Sequence, residues 1–287
     1  MTQTLEKDYT KWTLDELVEE LYKYPIMSDE FHEIRRAIEE NHLTDEKYDE
    51  YLFVVPSRMN TSYHTHPEKK TIEGFNNLRG IMTIPETVTS DDISGIPYFS
   101  DNLSFLEDKR FRMLKRRRME YNPEFKQIVV SAYITDGRHV ILLKTGTNGE
   151  TRIQDRYTFI QGHVNFDKFA YLMTQKDFLT RSLGKELNEE ISIKKEGYAE
   201  FDLNSETSFV SVMPKYYVND SSNHIGLEHF GVIYELKVKD AWKLFEEIST
   251  GEKSKHEVVL LDLREYQGYR NNLDNWVQLA LDKLIKE

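Results

Sequence analysis

The feature that most constrains this chain is the stretch from Gly162 to Ile193. In its second half, mostly apolar residues recur at three- and four-residue spacing, which predicts an amphipathic helix. The inward stripe of that helix consists of Phe178, Leu179, Ser182, Leu183, Leu187 and Ile191. Glu186, Glu189 and Glu190 occupy positions i, i+3 and i+4, so they are expected on one side of that helix. Three like charges placed there repel each other and lower helix stability unless a cation binds among them.

Two interpretations of these carboxylates are open from the residues alone. An acidic helix face is usually a solvated surface, and this chain is acidic, with a formal net charge of −12. The alternative is a cluster of hard oxygen ligands, which favours Mg²⁺ or Mn²⁺ over zinc because the chain has no cysteine and no suitable histidine group. Such ions bridge phosphate oxygens and activate water, so the second interpretation indicates metal-assisted phosphoryl chemistry.

The end of the stretch resembles the Nudix box, G-x5-E-x7-R-E-U-x-E-E-x-G-U, where U is a bulky aliphatic residue. The matching residues are Glu186, Leu187, Glu189, Glu190 and Ile193. Asp177 stands at the position of the first Glu of the box, and Gly162 at that of its opening glycine. The sequence departs from the box at Lys185, which replaces Arg, at Ser192, which replaces Gly, and in nine extra residues between Gly162 and Asp177.

The resemblance implies a metal site and roles for its residues. The metal ligands would be the Gly162 carbonyl and three carboxylates: Glu186, Glu189 and Glu190. Lys185 would orient Glu186. A further carboxylate in this family often comes from a loop before a late strand, and Glu228 or Asp220 would fill that place, with Glu228 also assigned to substrate binding.

The resemblance continues outside the box, to a bacterial Nudix subfamily of phosphoesterase type. It covers about residues 110–287 and is carried by Glu120–Ile128, His229–Val232 and Asn275–Trp276. We therefore predict an α+β fold over residues 109–287, a Nudix-type α/β/α sandwich with a mixed sheet.

Periodic patterns predict the elements of this fold without the resemblance. Asp136-Gly137 separates two strand patterns and predicts a hairpin. Further strands are predicted near residues 196–203, 208–218, 228–238 and 257–261, and helices over residues 240–248 and 270–285.

Residues 1–108 show no resemblance and are predicted to form a smaller, α-rich domain of unknown role. A capping-box pattern at Thr13 opens a predicted helix to about Tyr24, and a second helix is predicted over residues 29–40. Because no Gly-, Ser- or Pro-rich linker joins this part to the rest, we expect it to dock on the catalytic domain.

The segment Lys109–Arg118 has seven basic residues in ten. One interpretation is a solvated helix face that pairs with the acidic N-terminal helices, since residues 1–50 carry 15 acids against 6 bases. The other is anion recognition, because arginine donates bidentate hydrogen bonds to phosphate. Arg118 matches an arginine that the resembling subfamily often has before its first strand, so Arg118 and Arg116 are assigned to substrate binding.

A second motif, His64-Thr65-His66-Pro67, resembles the metal motif of JAMM isopeptidases. That family needs an Asp about ten residues past the proline, and here no Asp appears before Asp91. Two histidines alone make no closed metal site, so we interpret this motif as a chance occurrence.

These observations lead to one hypothesis and two alternatives. The leading hypothesis is a metal-dependent Nudix-type hydrolase that cleaves a pyrophosphate bond in a nucleoside diphosphate linked to another group, such as ADP-ribose or a dinucleotide. One alternative is a non-catalytic Nudix-fold module that binds a nucleotide or a partner. The other is an RNA-end processing enzyme that uses residues 109–118.

Composition narrows the partners and the location. The acidic charge disfavours nonspecific binding to DNA, RNA or an anionic membrane. No apolar run is long enough to span a membrane, and the first residues lack the apolar core of a signal peptide. The absence of cysteine excludes disulfides and fits a cytoplasmic location. The oligomeric state is open, with a homo-oligomer among the options.

Overall fold

The structure is a computed structural model, and it describes part of the chain. The described residues are 7–21, 23–24, 28–56, 70–72, 75–77, 79–83, 112–122, 125–146, 155–165, 175–193, 203, 209–220, 226, 228–250 and 256–286. The histidines of the His64–Pro67 motif lie outside these residues, as does most of the strand predicted near residues 196–203.

Seven α-helices lie in the described part. They are α1 (Leu14–Leu21), α2 (Asp29–Asn41), α3 (Arg116–Met119), α4 (Gln175–Glu190), α5 (Ala241–Glu247), α6 (Tyr266–Tyr269) and α7 (Asn275–Leu284). Short 3₁₀ turns cover Tyr9–Lys11, Glu46–Asp49, Leu263–Glu265 and Arg270–Asn272. No helix in these ranges is both long and apolar enough to cross a membrane.

Fourteen strands are described. They are β1 (Tyr51–Pro56), β2 (Lys70–Ile72), β3 (Phe75–Asn77), β4 (Arg79–Thr83), β5 (Arg112–Lys115), β6 (Phe125–Thr135), β7 (His139–Thr145), β8 (Tyr157–Thr158), β9 (Ile160–His163), β10 (Ile191–Ile193), β11 (Ser211–Asp220), β12 (His229–Lys237), β13 (Ile248–Thr250) and β14 (His256–Asp262).

One mixed sheet of ten of these strands organises the described residues. Its main path runs β14-β7-β6-β12-β11-β4, and β6 pairs in parallel with β12 and antiparallel with β7. Along the edge that holds β7, β6 also pairs with β1 and then with β9, and β12 occupies the opposite edge. Residues along β6 therefore have neighbours from four different parts of the chain.

The sheet is covered by helices on both faces. Ile128 and Val130 of β6 pack in a buried cluster with Leu183 and Leu187 of α4. The alternate residue Tyr133 packs on the opposite face with Trp276 and other residues of α7. The predicted α/β/α sandwich with a mixed sheet is confirmed, because the period-two alternation of β6 feeds two separate apolar cores.

The predicted hairpin and terminal helix are present, with one boundary corrected. Gly137 has φ +90°, in the left-handed region that glycine favours, between β6 and β7. The terminal helix was expected from Arg270, but α7 begins at Asn275 because Leu273 is extended and buried. Asp274 then caps the helix by accepting a hydrogen bond from the Trp276 backbone N–H.

The N-terminal residues form a small core and also extend the sheet. The Thr13–Glu16 capping box is present, with Glu16 N donating to Thr13 Oγ1 and Thr13 N to Glu16 Oε2. Apolar residues of α1 and α2 pack together: Leu17, Leu21, Phe31, Ile34 and Ile38. β1 pairs with β6, and β4 pairs with β11. Strands from residues 1–108 are thus part of the same sheet, and the domain boundary after residue 108 stays a prediction.

Candidate functional site

The helix that carries the acidic residues is α4, and its inward stripe is as predicted. Phe178, Leu179, Leu183 and Leu187 are buried in the core under the sheet. The helix ends at Glu190, and buried Ile191 begins β10, which pairs with β13. Asp177 lies in the first turn of α4. Burial of the stripe fixes the rotation of the helix, so it also fixes where the glutamates point.

Gly162 and Glu186 are in direct contact. Gly162 lies on β9, opposite Val130 of β6, and faces α4. A Cβ atom placed on residue 162 would overlap the carboxylate of Glu186. Glycine is therefore the residue that leaves the Glu186 side chain where it is, and the first residue of the predicted motif meets its central glutamate.

Glu186 has an unusual protonation behaviour. Burial raises the pKa of its carboxyl from 4.5 to about 7; Lys185 acts in the opposite direction, and the negative charges of Glu189, Glu190 and Glu50 raise the pKa further. Removal from water disfavours the charged form, and like charges nearby add to that effect. Near neutral pH the Glu186 carboxyl is close to its midpoint of titration. A cation bound among the carboxylates would shift this balance between the protonated and ionised forms.

The other two glutamates of α4 each lie near a basic side chain, Lys185 or His256. Lys185 Nζ lies 3.7 Å from Glu189 Oε1, and both side chains are about half exposed. Glu190 Oε2 lies 3.9 Å from Nε2 of His256, the first residue of β14. The Lys185 pair is solvent-screened, so it contributes little stability, and the predicted role of Lys185 in orienting Glu186 stays a prediction.

A fourth carboxylate comes from the N-terminal part of the chain. Glu50 directly precedes β1 and is among the charges that raise the pKa of Glu186. Its backbone carbonyl accepts a hydrogen bond from Arg116 N, and its carboxylate lies 3.8 Å from the Arg116 guanidinium. Arg116 also donates to Glu120 at 2.7 Å. The structure thus brings Arg116 to the edge of the acidic cluster, held between two carboxylates.

Neither Glu50 nor His256 was found by sequence reasoning. Both lie far from the box in sequence and reach it only because β1 and β14 are strands of the same sheet. The sequence signal was weak, because neither Glu50 nor His256 lies in a recognisable motif.

The other two predicted carboxylates are Glu228 and Asp220. Glu228 is fully buried and accepts a hydrogen bond from Tyr121 N at 3.1 Å. Tyr121 has φ +57°, so this bond holds a turn that non-glycine residues seldom adopt. Asp220 ends β11, paired with β4. The site roles of Glu228 and Asp220 stay predictions.

Basic residues of the 109–118 segment pair with N-terminal acids. Lys115 and Arg117 both bind Asp49, at 3.1 and 2.6 Å. Arg118 is 67% exposed and lies 4.0 Å from Glu39. These pairs favour the interpretation in which this segment neutralises acidic N-terminal residues, while the exposed Arg118 keeps donors for an anion.

The donor set around α4 fits a hard divalent cation by its chemistry. The ligands on offer are carboxylate oxygens and the backbone oxygen of Gly162, which suit Mg²⁺ or Mn²⁺. The repulsion that raises the pKa of Glu186 is the interaction that a bound cation would relieve. Within the described ranges, no three His, Asp or Glu side chains already converge as a metal site. A metal would therefore draw Glu189 or Glu190 away from its present partner.

Comparison with known proteins identifies the fold of the chain. No protein-family model matches the chain, and no curated protein does. The crystal structure of Tm1382, which is classed with the Nudix hydrolases, matches with a TM-score of 0.54 and 20% identity, over 83% of this chain and 99% of that one. A bifunctional NMN adenylyltransferase/ADP ribose pyrophosphatase from Francisella tularensis matches with a TM-score of 0.40 and 13% identity, over 56% of this chain and 41% of that one.

The match to Tm1382 shows that the chain has the Nudix fold. The resemblance seen in the sequence is thereby confirmed at the level of the fold. The matched part is larger than residues 109–287, so it must include part of residues 1–108, where the sequence shows no resemblance. This agrees with the place of β1 and β4 in the sheet.

Proposed function

We propose that this chain is a metal-dependent Nudix-type hydrolase that cleaves a pyrophosphate bond in a nucleoside diphosphate linked to another group. ADP-ribose and dinucleotides are the first substrates to test. The proposed metal ligands are the Gly162 carbonyl and three carboxylates, with Mg²⁺ or Mn²⁺ as the ion: Glu186, Glu189 and Glu190. We place the protein in the cytoplasm, as its lack of cysteine suggests.

One observation supports this proposal above the others. Gly162 opens the predicted motif and Glu186 is its central glutamate, and nine residues more than the Nudix box allows lie between Gly162 and Asp177. Gly162 and Glu186 nevertheless lie so close together that any larger residue at position 162 would overlap the carboxylate of Glu186. A solvated acidic face would not need a glycine against one of its carboxylates.

The residues of the site would share the work of the reaction. The bound ion, when present, neutralises charge on the phosphate oxygens and lowers the pKa of a water molecule. Glu186 sits against β9, where burial raises its pKa in the metal-free chain, and a bound cation would favour the ionised form that can act as a ligand. Arg116 and Arg118 would bind a phosphate or carboxylate group of the substrate at the outer edge of the cluster.

A second candidate function is a Nudix-fold module that binds a nucleotide without cleaving it. The observation in its favour is that the described carboxylates do not converge on one point, with Glu189 near Lys185 and Glu190 near His256 instead. Lys185 in place of the arginine of the box also fits this alternative.

A substrate panel separates the two functions. The purified full chain is incubated with Mg²⁺ or Mn²⁺ and with ADP-ribose, NAD, dinucleoside polyphosphates, nucleoside triphosphates and capped RNA. Hydrolysis of at least one compound, lost on chelation of the metal, supports the hydrolase. Tight binding of a compound without turnover supports the binding module, and absence of both would reject the proposal.

A further inference from the structure

Two histidines meet on the sheet face opposite α4. His163 ends β9 and His229 begins β12, and these strands lie on either side of β6. The two Nε2 atoms are 3.1 Å apart, and the ring centroids are 5.2 Å apart. His163 is the register partner of Val129 and His229 that of Gln127, so the imidazoles reach towards each other across β6 on one face.

The neighbouring polar side chains carry buried atoms with no hydrogen-bond partner among the described residues. Gln127 is fully buried, and neither its amide nitrogen nor its amide oxygen is bonded. The Oδ1 atom of Asn165, two residues beyond His163, is in the same condition. Buried polar atoms are nearly always bonded, so the unbonded amide of Gln127 and the unbonded amide oxygen of Asn165 beside an imidazole pair require an explanation.

The separation of the imidazole nitrogens fits two ligands of one metal ion. At a metal–nitrogen distance of about 2.1 Å, two nitrogens lie about 3.0 Å apart at a right angle and about 3.4 Å apart in a tetrahedron. The 3.1 Å between His163 and His229 falls in this range. A single N–H···N hydrogen bond between the rings gives a similar distance, so the experiment must distinguish the two.

We propose that His163 and His229 form a binding site for a transition metal ion such as Zn²⁺ or Ni²⁺. Imidazole nitrogen suits these ions, whereas the carboxylates of α4 suit Mg²⁺ or Mn²⁺. Within the described residues no third His, Asp or Glu joins the pair. Gln127 and Asn165, whose amide oxygens are unbonded, are the proposed further ligands together with water.

The ion would connect strands that lie on opposite edges of β6. His163 directly follows Gly162, which contacts Glu186 on the other face. An ion on the histidine pair therefore fixes the end of β9 against β12 and, through the shared backbone, the position of Gly162. The site has a structural role beneath the acidic cluster and is independent of whether that cluster hydrolyses nucleotides.

A different described pair of a histidine and an acid, His139 with Asp136, lacks these properties. His139 lies 3.0 Å from Asp136, but Asp136 also accepts hydrogen bonds from the backbone N–H groups of His139, Arg138 and Ala241. Its carboxylate is occupied in holding the turn between β6 and β7, so it is not free to bind an ion.

The test measures metal binding by the untagged full chain after treatment with a chelator. Ni²⁺ and Zn²⁺ are titrated by calorimetry, and thermal melting is recorded with and without each ion. The variants are His163→Gln and His229→Gln, with the exposed His32→Gln as the matched control. Loss of a residue that only orients a metal ligand weakens metal binding about 10- to 100-fold, so loss of a ligand is expected to weaken it by at least about 100-fold.

Wild type and His32→Gln are expected to bind one tight equivalent and to melt at a higher temperature with the ion. His163→Gln should lose both effects. A chain that carries Glu189→Gln and Glu190→Gln should keep them, and it should lose them only when His163→Gln is added. Equal binding by His163→Gln and wild type, or no binding by wild type, would overturn the proposal and leave the pair as a hydrogen bond.

Cu²⁺ electron paramagnetic resonance gives a second readout that does not depend on stability. A signal from two coordinated imidazoles is expected in wild type and should be absent from His163→Gln, which changes only a half-buried side chain. Because His229 is buried, His163→Gln decides the outcome if His229→Gln fails to fold. A signal with no imidazole nitrogen in wild type would contradict the site directly.

Discussion

Two glutamates on helices, Glu20 of α1 and Glu186 of α4, have opposite electrostatic surroundings. Hydrogen bonds from Lys7 and Lys23, followed by one from Tyr24, lower the pKa of Glu20 to about 2. Burial raises the pKa of Glu186 to about 7, and the surrounding carboxylates add to the effect. Glu20 is stabilised as an anion by its own chain, whereas Glu186 is not.

The difference distinguishes a structural acid from a candidate functional one. Glu20 is bonded to Lys7 at 2.7 Å and to Lys23 at 3.0 Å, so its charge is balanced inside the N-terminal core. The charge of Glu186 has no such balance, because Lys185 lies nearer to Glu189 in an exposed pair. Perturbed carboxyl groups of this second kind are enriched at functional sites.

The largest expected effect comes from removing ligands at the acidic helix. Glu189→Gln and Glu190→Gln should each lower turnover by at least about 100-fold, because metal positioning and water activation fail together. Without metal, each variant should be as stable as wild type or slightly more so, since one of several repelling charges is gone. Turnover of the best panel substrate and melting with and without Mg²⁺ give the two readouts.

The matched control is Glu20→Gln, which should leave turnover unchanged and lower stability. Wild type should melt at a higher temperature with Mg²⁺, and the two Gln variants of α4 should gain less. If both variants hydrolyse the substrate at the wild-type rate, the carboxylates are a solvated face and the comparison with Glu20 loses its functional meaning.

The next effect concerns the contact between Gly162 and Glu186. Gly162→Ala should displace the Glu186 carboxylate, because the added methyl group occupies its place. We expect turnover to fall about 10- to 100-fold with a smaller loss of stability, as a displaced ligand reorganises the site. Gly268→Ala is the control, since a Cβ at residue 268 meets no atom within 4 Å. Equal activity of the two variants would separate Gly162 from the site.

A third effect is a pair of opposite pH dependences in the metal-free protein. Between about pH 4.5 and about 7 the folded chain keeps a proton on Glu186 that the unfolded chain has released, so this residue lowers the free energy of unfolding as pH rises. Glu186→Gln should equal wild type near pH 4 and exceed it above pH 7, by roughly 3 kcal/mol at most.

For Glu20 the direction is reversed. Its ionised form is favoured in the folded chain, so its stabilisation is complete above about pH 4.5 and is lost as pH falls towards 2. Glu20→Gln should therefore be less stable than wild type at neutral pH and approach it in acid. Urea unfolding at a series of pH values in a chelator measures both differences, and parallel pH profiles for the two variants would contradict the assignment.

The smallest effect is expected at Lys185. Lys185→Arg restores the arginine of the Nudix box and offers a forked donor, so turnover should stay within a few-fold of wild type or rise. The present pair with Glu189 is exposed and contributes little stability, and melting should hardly change. A loss as large as that of Glu190→Gln would show that Lys185 acts by a feature of lysine that arginine lacks.

Local patterns predicted the helix and strands of this fold well. The stripe from Phe178 to Ile191 sets the rotation of α4, and Asp136-Gly137 sets the hairpin; both depend on neighbours in sequence. The start of α7 was missed because buried Leu273 packs in tertiary structure before Asp274 can cap the helix. Such competition between burial and capping is not visible in a periodic pattern.

The site was predicted only where one segment carries it. Glu186, Glu189 and Glu190 share one helix, so their spacing indicated them. Glu50 and His256 reach the acidic cluster through strand pairing over long sequence distances. His163 and His229 meet each other in the same way on the other face of the sheet. Strand order decides these contacts, and a single sequence does not specify strand order.

The pairing of β1 with β6 has a practical consequence for anyone who shortens the chain. A fragment that begins at residue 109 would lack β1 and would expose the backbone N–H and C=O groups of Phe125–Gln127 along an open strand edge. Exposed edges of this kind recruit strands from other molecules and lead to aggregation. This fragment is therefore expected to precipitate or associate when produced by itself, and biochemical work needs a chain that includes β1.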